Sequence, residues 1–245
     1  MKNIIRILVF SQFVIMSALV SATQLNVATS EWIPYIGKKL PNDGLAMDIV
    51  NTALKRAGYE TIVTIQAWTR TLEGADLGVY DLIAAAWHSK EREKTFLFSK
   101  PYIYNEIKLV KHADSSFDYK TPADLDGRVV GTVKGYAYGD EFDNARGILR
   151  RPSIAILENL FRVLNAEVEL TLDDERVLQY EIKNNITVNK DKLVILPKSI
   201  SRKGLYIAVS RENPKHKEIV QAFDNAIATM KKDGSYARIL KAHGF

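Results

Sequence analysis

The chain has 245 residues, enough for one large or two small domains, and 47% of them are hydrophobic, as in a globular protein with a substantial core. It contains no cysteine, which excludes disulfides, thiolate chemistry, zinc–sulfur sites and a lipid anchor on an amino-terminal cysteine. The formal net charge is +5, and its basic residues are spread along the chain without a cluster of interleaved aromatic residues. We therefore expect no binding to nucleic acid.

Residues 1–22 have the pattern of a secretory signal peptide. Lys2 and Arg6 precede an uncharged and mostly apolar run, and the segment ends in small residues at Ala22. The apolar run is short for a membrane span. We therefore expect cleavage after Ala22 and an exported protein that starts at Thr23. An uncleaved amino-terminal anchor is the alternative.

The first hundred residues alternate between strand and helix patterns. Apolar residues at helical spacing predict a helix over 45–57, with Gly58 as its carboxyl-terminal cap. Strands are predicted over 24–29, 60–66 and 81–86, and a short helix over 68–78. This strand–helix–strand order predicts a parallel sheet.

The same alternation restarts after Tyr104. Strands are predicted over 106–111, 128–133, 167–172, 193–196 and 205–210, and helices over 121–125, 153–165, 176–183 and 219–230. Thr121 is expected to cap the first of these helices, with Pro122 at its first position. Gly135 and Gly139 lie in a turn whose backbone N–H groups could hold an anion, and a plain turn that requires glycine is the alternative.

The stretch 84–102, AAAWHSKEREKTFLFSKPY, contains the most informative residue of the chain, Arg92. It follows an apolar strand and precedes an aromatic run. Ligands bind at the carboxyl ends of strands in open α/β sheets, and a guanidinium there matches the two oxygens of a carboxylate. An exposed ion pair between Arg92 and a neighbouring glutamate is the alternative.

This stretch resembles the family 3 extracellular solute-binding proteins, the receptors of polar amino-acid ABC transporters. In that family a strand, a polar turn, an arginine and the pattern F-S-x-P-Y mark the site for the ligand carboxylate. The matching residues here are Arg92, Phe98, Ser99, Pro101 and Tyr102. The resemblance extends from about Leu25 to the end of the chain.

The resemblance implies an α/β, two-lobed type II periplasmic binding protein fold, in which each lobe is a mainly parallel sheet flanked by helices. It assigns residues 23–104 and 205–245 to lobe I and residues 105–204 to an inserted lobe II. Two crossing strands, near Tyr104-Asn105 and Gly204-Leu205, are expected to join the lobes.

The resemblance also indicates aromatic walls for the ligand site. Trp32 stands two residues before Pro34, where an aromatic side chain often stacks on the ligand. Trp68 is a second aromatic candidate, and Arg70 is expected to point the same way. Core packing is the alternative for each tryptophan.

The binding residues expected on the first lobe also include Ala85 and Trp87. Trp87 and Tyr136 occupy positions at which the family often has small hydroxyl residues. These two large aromatic residues predict a more aromatic and smaller or flatter pocket. They argue against a standard α-amino acid as the ligand, while a carboxylate remains compatible with Arg92.

The family places a carboxylate for the ligand ammonium after the fourth strand of the second lobe. In the segment AEVELTLDD, Glu169 takes the first acidic place and Asp174 the second, with Asp173 as the fallback. The Gly-Arg pair typical of the family is Ala-Glu here, which loosens the alignment. The alternative is that the aspartates cap the helix that begins near Arg176.

The sequence shows none of the usual catalytic or cofactor motifs. Its four histidines lack metal-ligand spacing, and it contains no G-x-S-x-G, P-loop or G-x-G-x-x-G. We therefore expect a periplasmic, non-catalytic monomer without cofactor or metal that closes on a small polar, amino-acid-like or carboxylate-bearing ligand and serves an ABC permease. Two alternatives remain: an enzyme on this scaffold resembling cyclohexadienyl dehydratase, and a receptor for a membrane signalling protein.

Overall fold

The computed structural model describes residues 23–245, so the predicted signal peptide at 1–22 lies outside the described residues. The strands of this part form one mixed sheet in the order β2-β1-β3-β9-β5-β8-β6-β7, and β4 pairs with β9 beside this path. The strands are β1 (Thr23–Thr29), β2 (Tyr59–Ile65), β3 (Leu82–Trp87), β4 (Phe96–Phe98), β5 (Ile103–His112), β6 (Val129–Val133), β7 (Leu149–Ser153), β8 (Leu170–Asp174) and β9 (Leu193–Ser210). The helices are α1 (Leu45–Arg56), α2 (Trp68–Asp76), α3 (Asp140–Asp143), α4 (Ile156–Leu164), α5 (Glu175–Asn184), α6 (His216–Lys232) and α7 (Ser235–Ala242).

On one side of the sheet, β1 runs parallel to β2 and β3, and we call this the β1–β3 side. Helix α1 covers it because apolar residues recur on one helical face and are all buried, and α6 packs against α1. Gly44 precedes α1 with a φ of 97°, and a Cβ there would approach the Tyr35 carbonyl oxygen to 2.5 Å. The start of α1 therefore requires glycine.

On the other side, β6 runs parallel to β7 and β8, and we call this the β6–β8 side. Helices α4 and α5 pack on it, and the buried face of α4 consists of Ile156, Leu160 and Val163 with Asn159. Thr121 forms a capping box with Asp124 ahead of a short 3-10 helix, Pro122–Leu125, as its sequence predicts.

Strands β5 and β9 pair antiparallel and connect the two sides of the sheet. Two separate strands were expected over 193–196 and 205–210, but β9 is continuous. It accommodates Pro197 because the register against β5 shifts twice between Ile107 and Val110, and a proline is tolerated at such an irregularity.

Several other elements differ from the sequence-based expectation. The helix expected from residue 153 begins only at Ile156, because strand β7 precedes it. Strand β7 contains Pro152, which has no N–H to donate, and this is tolerated because β7 lies at the edge of the sheet. The strand expected over 167–172 begins three residues later, after a left-handed turn at Ala166 with a φ of 56°. Strand β4 and helices α3 and α7 were not predicted.

Between residues 23 and 245, no helix combines the length and the hydropathy that a membrane span requires. The same residues contain no group of three or more histidine, aspartate or glutamate side chains placed to hold a metal ion.

Candidate functional site

The site begins at the carboxyl end of β3, where the chain turns and brings Arg92 back over the strand. Every residue of β3 is buried, and Arg92 opens a short 3-10 helix, Arg92–Lys94. Its guanidinium donates one hydrogen bond to the Trp87 carbonyl oxygen, and another to the Gly135 carbonyl oxygen at 2.6 Å. Arg92 therefore connects the end of β3 with the loop that follows β6.

The Arg92 guanidinium lies in an aromatic and largely desolvated environment. Its central carbon is 5.1 Å from the centroid of the Trp68 ring, within the range of a cation–π contact. Burial lowers the pKa of Arg92 to about 10, against the opposing influence of Asp143, Tyr136 and Glu91. The side chain therefore stays charged at neutral pH.

The loop after β6 contributes a carbonyl oxygen to this site. Gly135 has a φ of 79°, and its carbonyl accepts from Trp68 Nε1 at 3.1 Å as well as from Arg92. The sequence suggested that N–H groups of this turn could hold an anion. That expectation is wrong for Tyr138 and Gly139, because their N–H groups donate to the Asp143 carboxylate at 3.2 and 3.0 Å.

Four aromatic side chains form the wall beside Arg92, and we call them the aromatic wall: Trp32, Trp68, Trp87 and Tyr136. Tyr136 meets Trp87 and Trp68 edge to face, with ring centroids 5.2 and 5.9 Å apart. Trp32 meets Trp87 in the same way at 5.5 Å. Such T-shaped contacts are favourable and fix the ring orientations.

Trp32 and Trp87 serve both the core and the site. They are 9% and 5% exposed and belong to the hydrophobic core, as the core-packing alternative predicted for Trp32. Trp32 also stacks on Tyr35 with ring centroids 4.6 Å apart. Their remaining surface faces a cavity next to Arg92.

We call this cavity the inner cavity. Its volume of about 30 Å³ is comparable to the share of one molecule in liquid water. The structure brings six of the eight predicted site residues to its lining: Trp32, Trp68, Ala85, Trp87, Arg92 and Tyr136. Ala85 lies where the pairing of β3 with β9 is irregular.

Three further residues line the inner cavity and were not predicted: Ser30, Ile36 and Leu205. Ser30 directly follows β1, so its position at the carboxyl end of a predicted parallel strand was a signal that could have identified it. Ile36 and Leu205 carry no comparable signal, because any apolar residue satisfies the contact.

A larger cleft of about 600 Å³ adjoins the inner cavity, and we call it the outer cleft. It shares Ser30, Trp32, Trp68 and Tyr136 with the inner cavity. Its charged lining residues are Glu31, Lys38 and Glu181. Its volume lies within the usual range of small-molecule sites, about 300–1,000 Å³.

Asp174 caps helix α5. Its carboxylate accepts from the N–H groups of Arg176 at 2.9 Å and Val177 at 3.2 Å, and from Asn105 Nδ2 at 3.0 Å. Burial raises the pKa of Asp174, while these hydrogen bonds and one from Tyr35 lower it. Asp174 does not line the inner cavity, and its hydrogen bonds match the capping alternative.

Asp173 is fully buried behind Trp32. Its Oδ1 accepts from Trp32 Nε1 at 3.3 Å and from the Asp174 N–H at 2.7 Å. Its Oδ2 has no hydrogen-bond partner among residues 23–245. Burial raises the pKa of Asp173 well above its usual range, and the Asp174 charge acts in the same direction.

Asn105 connects the aromatic wall to the helix cap, and sequence reasoning missed its role. It is fully buried on β5, accepts from Trp87 Nε1 at 2.9 Å and donates to Asp174. Asn105 stands one residue before the strand predicted over 106–111, at the predicted crossing between the lobes, and the sequence offered no stronger signal for its role. Arg70, by contrast, is exposed on α2 and lines neither the inner cavity nor the outer cleft.

The model of the bacterial extracellular solute-binding proteins, family 3, matches residues 25–244. The chain belongs to this family. The resemblance seen in the sequence and the type II periplasmic binding protein fold that it implied are therefore confirmed, and the family's function is that of a solute-binding receptor.

Named relatives agree with this assignment. The chain is 25% identical to the ABC transporter arginine-binding protein 1 of Escherichia coli K12 over 224 residues, which cover 89% of this chain and 90% of that protein. It is 24% identical to the L-cystine-binding protein TcyJ of the same organism over 194 residues, which cover 78% and 70%. A solved structure of an ancestral arginine-binding protein bound to arginine superposes with a TM-score of 0.75 at 23% identity and covers 91% of this chain and 98% of that chain.

Proposed function

We propose that this protein is an exported, non-catalytic receptor that binds a small carboxylate-bearing solute between two lobes. Lobe I comprises residues 23–104 and 205–245, and lobe II comprises residues 105–204. Strands β5 and β9 cross between them and act as the hinge. The ligand joins the lobes because it contacts both of them only in the closed form.

One observation carries this proposal: the charged guanidinium of Arg92 lies at the carboxyl end of a buried strand, against an aromatic wall and beside a cavity. A carboxylate that enters the site would replace the Gly135 carbonyl as the acceptor of the Arg92 hydrogen bond. The exchange is favourable because a hydrogen bond between two charged groups is stronger than one to a neutral carbonyl.

The same reasoning assigns Trp68 and Tyr136 a role in closure. Trp68 begins α2 on lobe I, and its indole N–H donates to Gly135 on lobe II. Tyr136 packs edge to face on both Trp68 and Trp87. Ligand binding and lobe closure therefore involve the same residues, which couples occupancy to the shape of the molecule.

We propose an ABC permease as the membrane partner, since one relative is named as an ABC transporter component. The pattern of residues 1–22 supports export to the periplasm through a cleaved signal peptide, and we propose that the receptor acts as a monomer.

The test compares two arginines of lobe I. Native mass spectrometry of the exported protein identifies the bound solute, and calorimetry then measures its affinity for each variant. Arg92→Ala should weaken binding about 100-fold or more, because removing one partner of a buried charge pair costs about 2–5 kcal/mol. Arg92→Lys should restore part of the affinity, since an ammonium cannot form a bidentate contact.

Arg70→Ala is the matched control, because Arg70 is exposed and lies outside both cavities. It should change the affinity less than twofold. Equal affinities of Arg92→Ala and the parent would refute the proposal. Recovery of a chemically altered solute after incubation would refute its non-catalytic part.

A further inference from the structure

We propose that closure of the two lobes takes up one proton on Asp173, so that solute binding is coupled to proton binding. This inference rests on the proposed function, because it describes the regulation of the same closing movement. It is carried by the contact between Trp32 of lobe I and the carboxyl end of β8 on lobe II.

The Asp173 carboxyl group lies where the two proposed lobes meet. Asp173 is fully buried, and its Oδ1 accepts a hydrogen bond at 3.3 Å from the indole N–H of Trp32, which belongs to lobe I. Its second donor, the Asp174 N–H at 2.7 Å, belongs to lobe II itself. Separation of the lobes would withdraw Trp32 and admit water to the carboxyl group. Asp173 therefore passes from a solvated to a buried environment when the lobes close.

The two oxygens of the Asp173 carboxyl group have unequal surroundings. Oδ1 accepts both hydrogen bonds, whereas Oδ2 has no partner among residues 23–245. An ionised carboxylate would leave part of its charge on a buried oxygen without a donor, which is costly. A proton on Oδ2 removes that charge and keeps both hydrogen bonds to Oδ1. The closed form therefore favours the neutral acid.

Neighbouring negative charges also favour the proton on Asp173. Burial raises the pKa of Asp173 well above its usual range, and the charges of Asp174 and Glu181 act in the same direction. Burial raises the pKa of Asp174 as well, but hydrogen bonds from two N–H groups of α5 and from Asn105 oppose this effect. Of the two adjacent aspartates, Asp173 is therefore the one that binds the proton more tightly.

The cations of lobe II that lie near Asp173 in the fold or in the sequence have other partners. Lys108 pairs with Asp173 across β5 and β8, but its ammonium donates to Glu175 at 2.8 Å. The guanidinium carbon of Arg176 lies 3.8 Å from the centroid of the Phe245 ring. The ion pairs within 4 Å among residues 23–245 do not include Asp173. Two further titratable neighbours are uncharged at neutral pH, because burial raises their pKa values: Tyr136 and Tyr138.

Histidines are the usual source of pH dependence near neutrality, but here each one has its partner within its own proposed lobe. The pairs are His88 with Glu93, His112 with Asp114, His216 with the Asn213 carbonyl, and His243 with Asp48. These contacts stay in place when the lobes separate. The Trp32–Asp173 contact, in contrast, joins the lobes and is lost on opening.

Lowering the pH should therefore favour the closed form. The pKa of Asp173 is raised in the closed form by burial and falls toward its usual value of about 3.9 when the lobes open. Closure is thus most favourable below the open-form pKa and becomes less favourable as the pH rises toward the closed-form pKa. Uptake of one proton changes the ratio of closed to open molecules by up to about tenfold per pH unit.

The test measures the separation of the lobes in the protein without added solute. Because the chain contains no cysteine, Thr69→Cys on lobe I and Ile154→Cys on lobe II can carry spin labels. Thr69 is exposed next to Trp68, and Ile154 is 84% exposed at the outer cleft. Pulsed electron paramagnetic resonance from pH 4.5 to pH 8 then gives the distances between the labels across this cleft.

We expect the population with the short distance to decrease as the pH rises in the labelled parent, by up to about tenfold per pH unit relative to the open population. In labelled Asp173→Asn this population should be independent of pH, because Asn does not ionise and its Oδ1 can still accept from Trp32. Asp143→Asn is the matched control and should keep the pH dependence. Burial raises the pKa of Asp143 too, but both of its N–H donors, Tyr138 and Gly139, lie on its own lobe.

Distances that do not change with pH in the parent would overturn the inference. A pH dependence that persists in Asp173→Asn, or one that Asp143→Asn abolishes, would overturn it as well. Each of these results leaves the proposed receptor function intact if binding still depends on Arg92, since that function does not require a proton. A single distance population in every variant, together with no small solute in native mass spectrometry, would refute both the proposed function and the inference.

Discussion

Asp173 and Asp174 are neighbours in sequence and both buried, yet their carboxylates have different partners. The family resemblance pointed to Asp174 as a ligand residue and kept helix capping as the alternative. The Asp174 carboxylate accepts hydrogen bonds from two backbone N–H groups of α5, whereas the Asp173 carboxylate accepts one from the indole N–H of Trp32. A sequence cannot distinguish these roles, because a rotation of one side chain decides which donors it meets.

Asp173→Asn should stabilise the protein at neutral pH. Burial raises the pKa of Asp173 in the folded state, so the folded state binds its proton more tightly than the unfolded state. The parent is therefore most stable, as far as this group is concerned, below the unfolded pKa of about 3.9, and loses stability as the pH rises toward the folded pKa. Asn cannot ionise, and its Oδ1 can still accept from Trp32.

Thermal melts from pH 4 to pH 8 test this prediction. The melting temperature of Asp173→Asn should exceed that of the parent increasingly as the pH rises, by about 2–4 °C for each kcal/mol. Asp118→Asn is the control, because the Asp118 side chain is 66% exposed. A difference between Asp173→Asn and the parent that is constant with pH would contradict the assignment.

At the scale of elements, local patterns predicted most of the helices and strands but not their limits. Helix α1 follows its apolar spacing closely, and its last residue, Arg56, lies one residue before the predicted end. Strand β7 was missed because its sequence contains Pro152 and two arginines, a composition that does not predict a strand. The sheet tolerates this composition because β7 lies at its edge. The continuity of β9 depends on its pairing with β5, which no local pattern encodes.

Asp174→Ala should destabilise the protein by about 1–3 kcal/mol. The substitution removes the cap of α5 and leaves the buried Asn105 amide without its acceptor. Asp174→Asn should cost less than about 1 kcal/mol, since Asn caps helices as well as Asp does.

Urea unfolding of Asp174→Ala, Asp174→Asn and the parent measures these costs. Asp118→Ala serves again as the exposed control and should lie within about 0.5 kcal/mol of the parent. Equal stability of Asp174→Ala and the parent would show that α5 does not depend on this cap.

At the scale of the whole molecule, the family resemblance identified the fold. It is clearest around Arg92 and extends from about Leu25 to the end of the chain, and the match over residues 25–244 agrees with it. Trp32, Trp68, Trp87 and Tyr136 were also named as site residues, because the family resemblance places them beside the ligand. Trp87 and Tyr136 predicted a smaller or flatter pocket, but not its volume, which depends on how rings from distant segments meet edge to face.

The exported protein should consist of residues 23–245. The small residues that end at Ala22 match a signal-peptide cleavage site, and Thr23, directly after it, pairs with Tyr59 in the sheet. Intact-mass measurement of protein recovered from the periplasm tests this limit. A mass that includes residues 1–22 would indicate an uncleaved anchor.

The pairing of β3 with β9 has a consequence for the order of folding. Leu82 of β3 pairs with Val209 of β9, so the β1–β3 side lacks a central strand until residue 210 has been synthesised. Contacts so distant in sequence form late and slowly. The growing chain therefore holds β3 without its β9 partner while most of it leaves the ribosome. For a receptor that is exported as we propose, this topology delays folding and leaves time for a translocation channel that accepts only extended polypeptide.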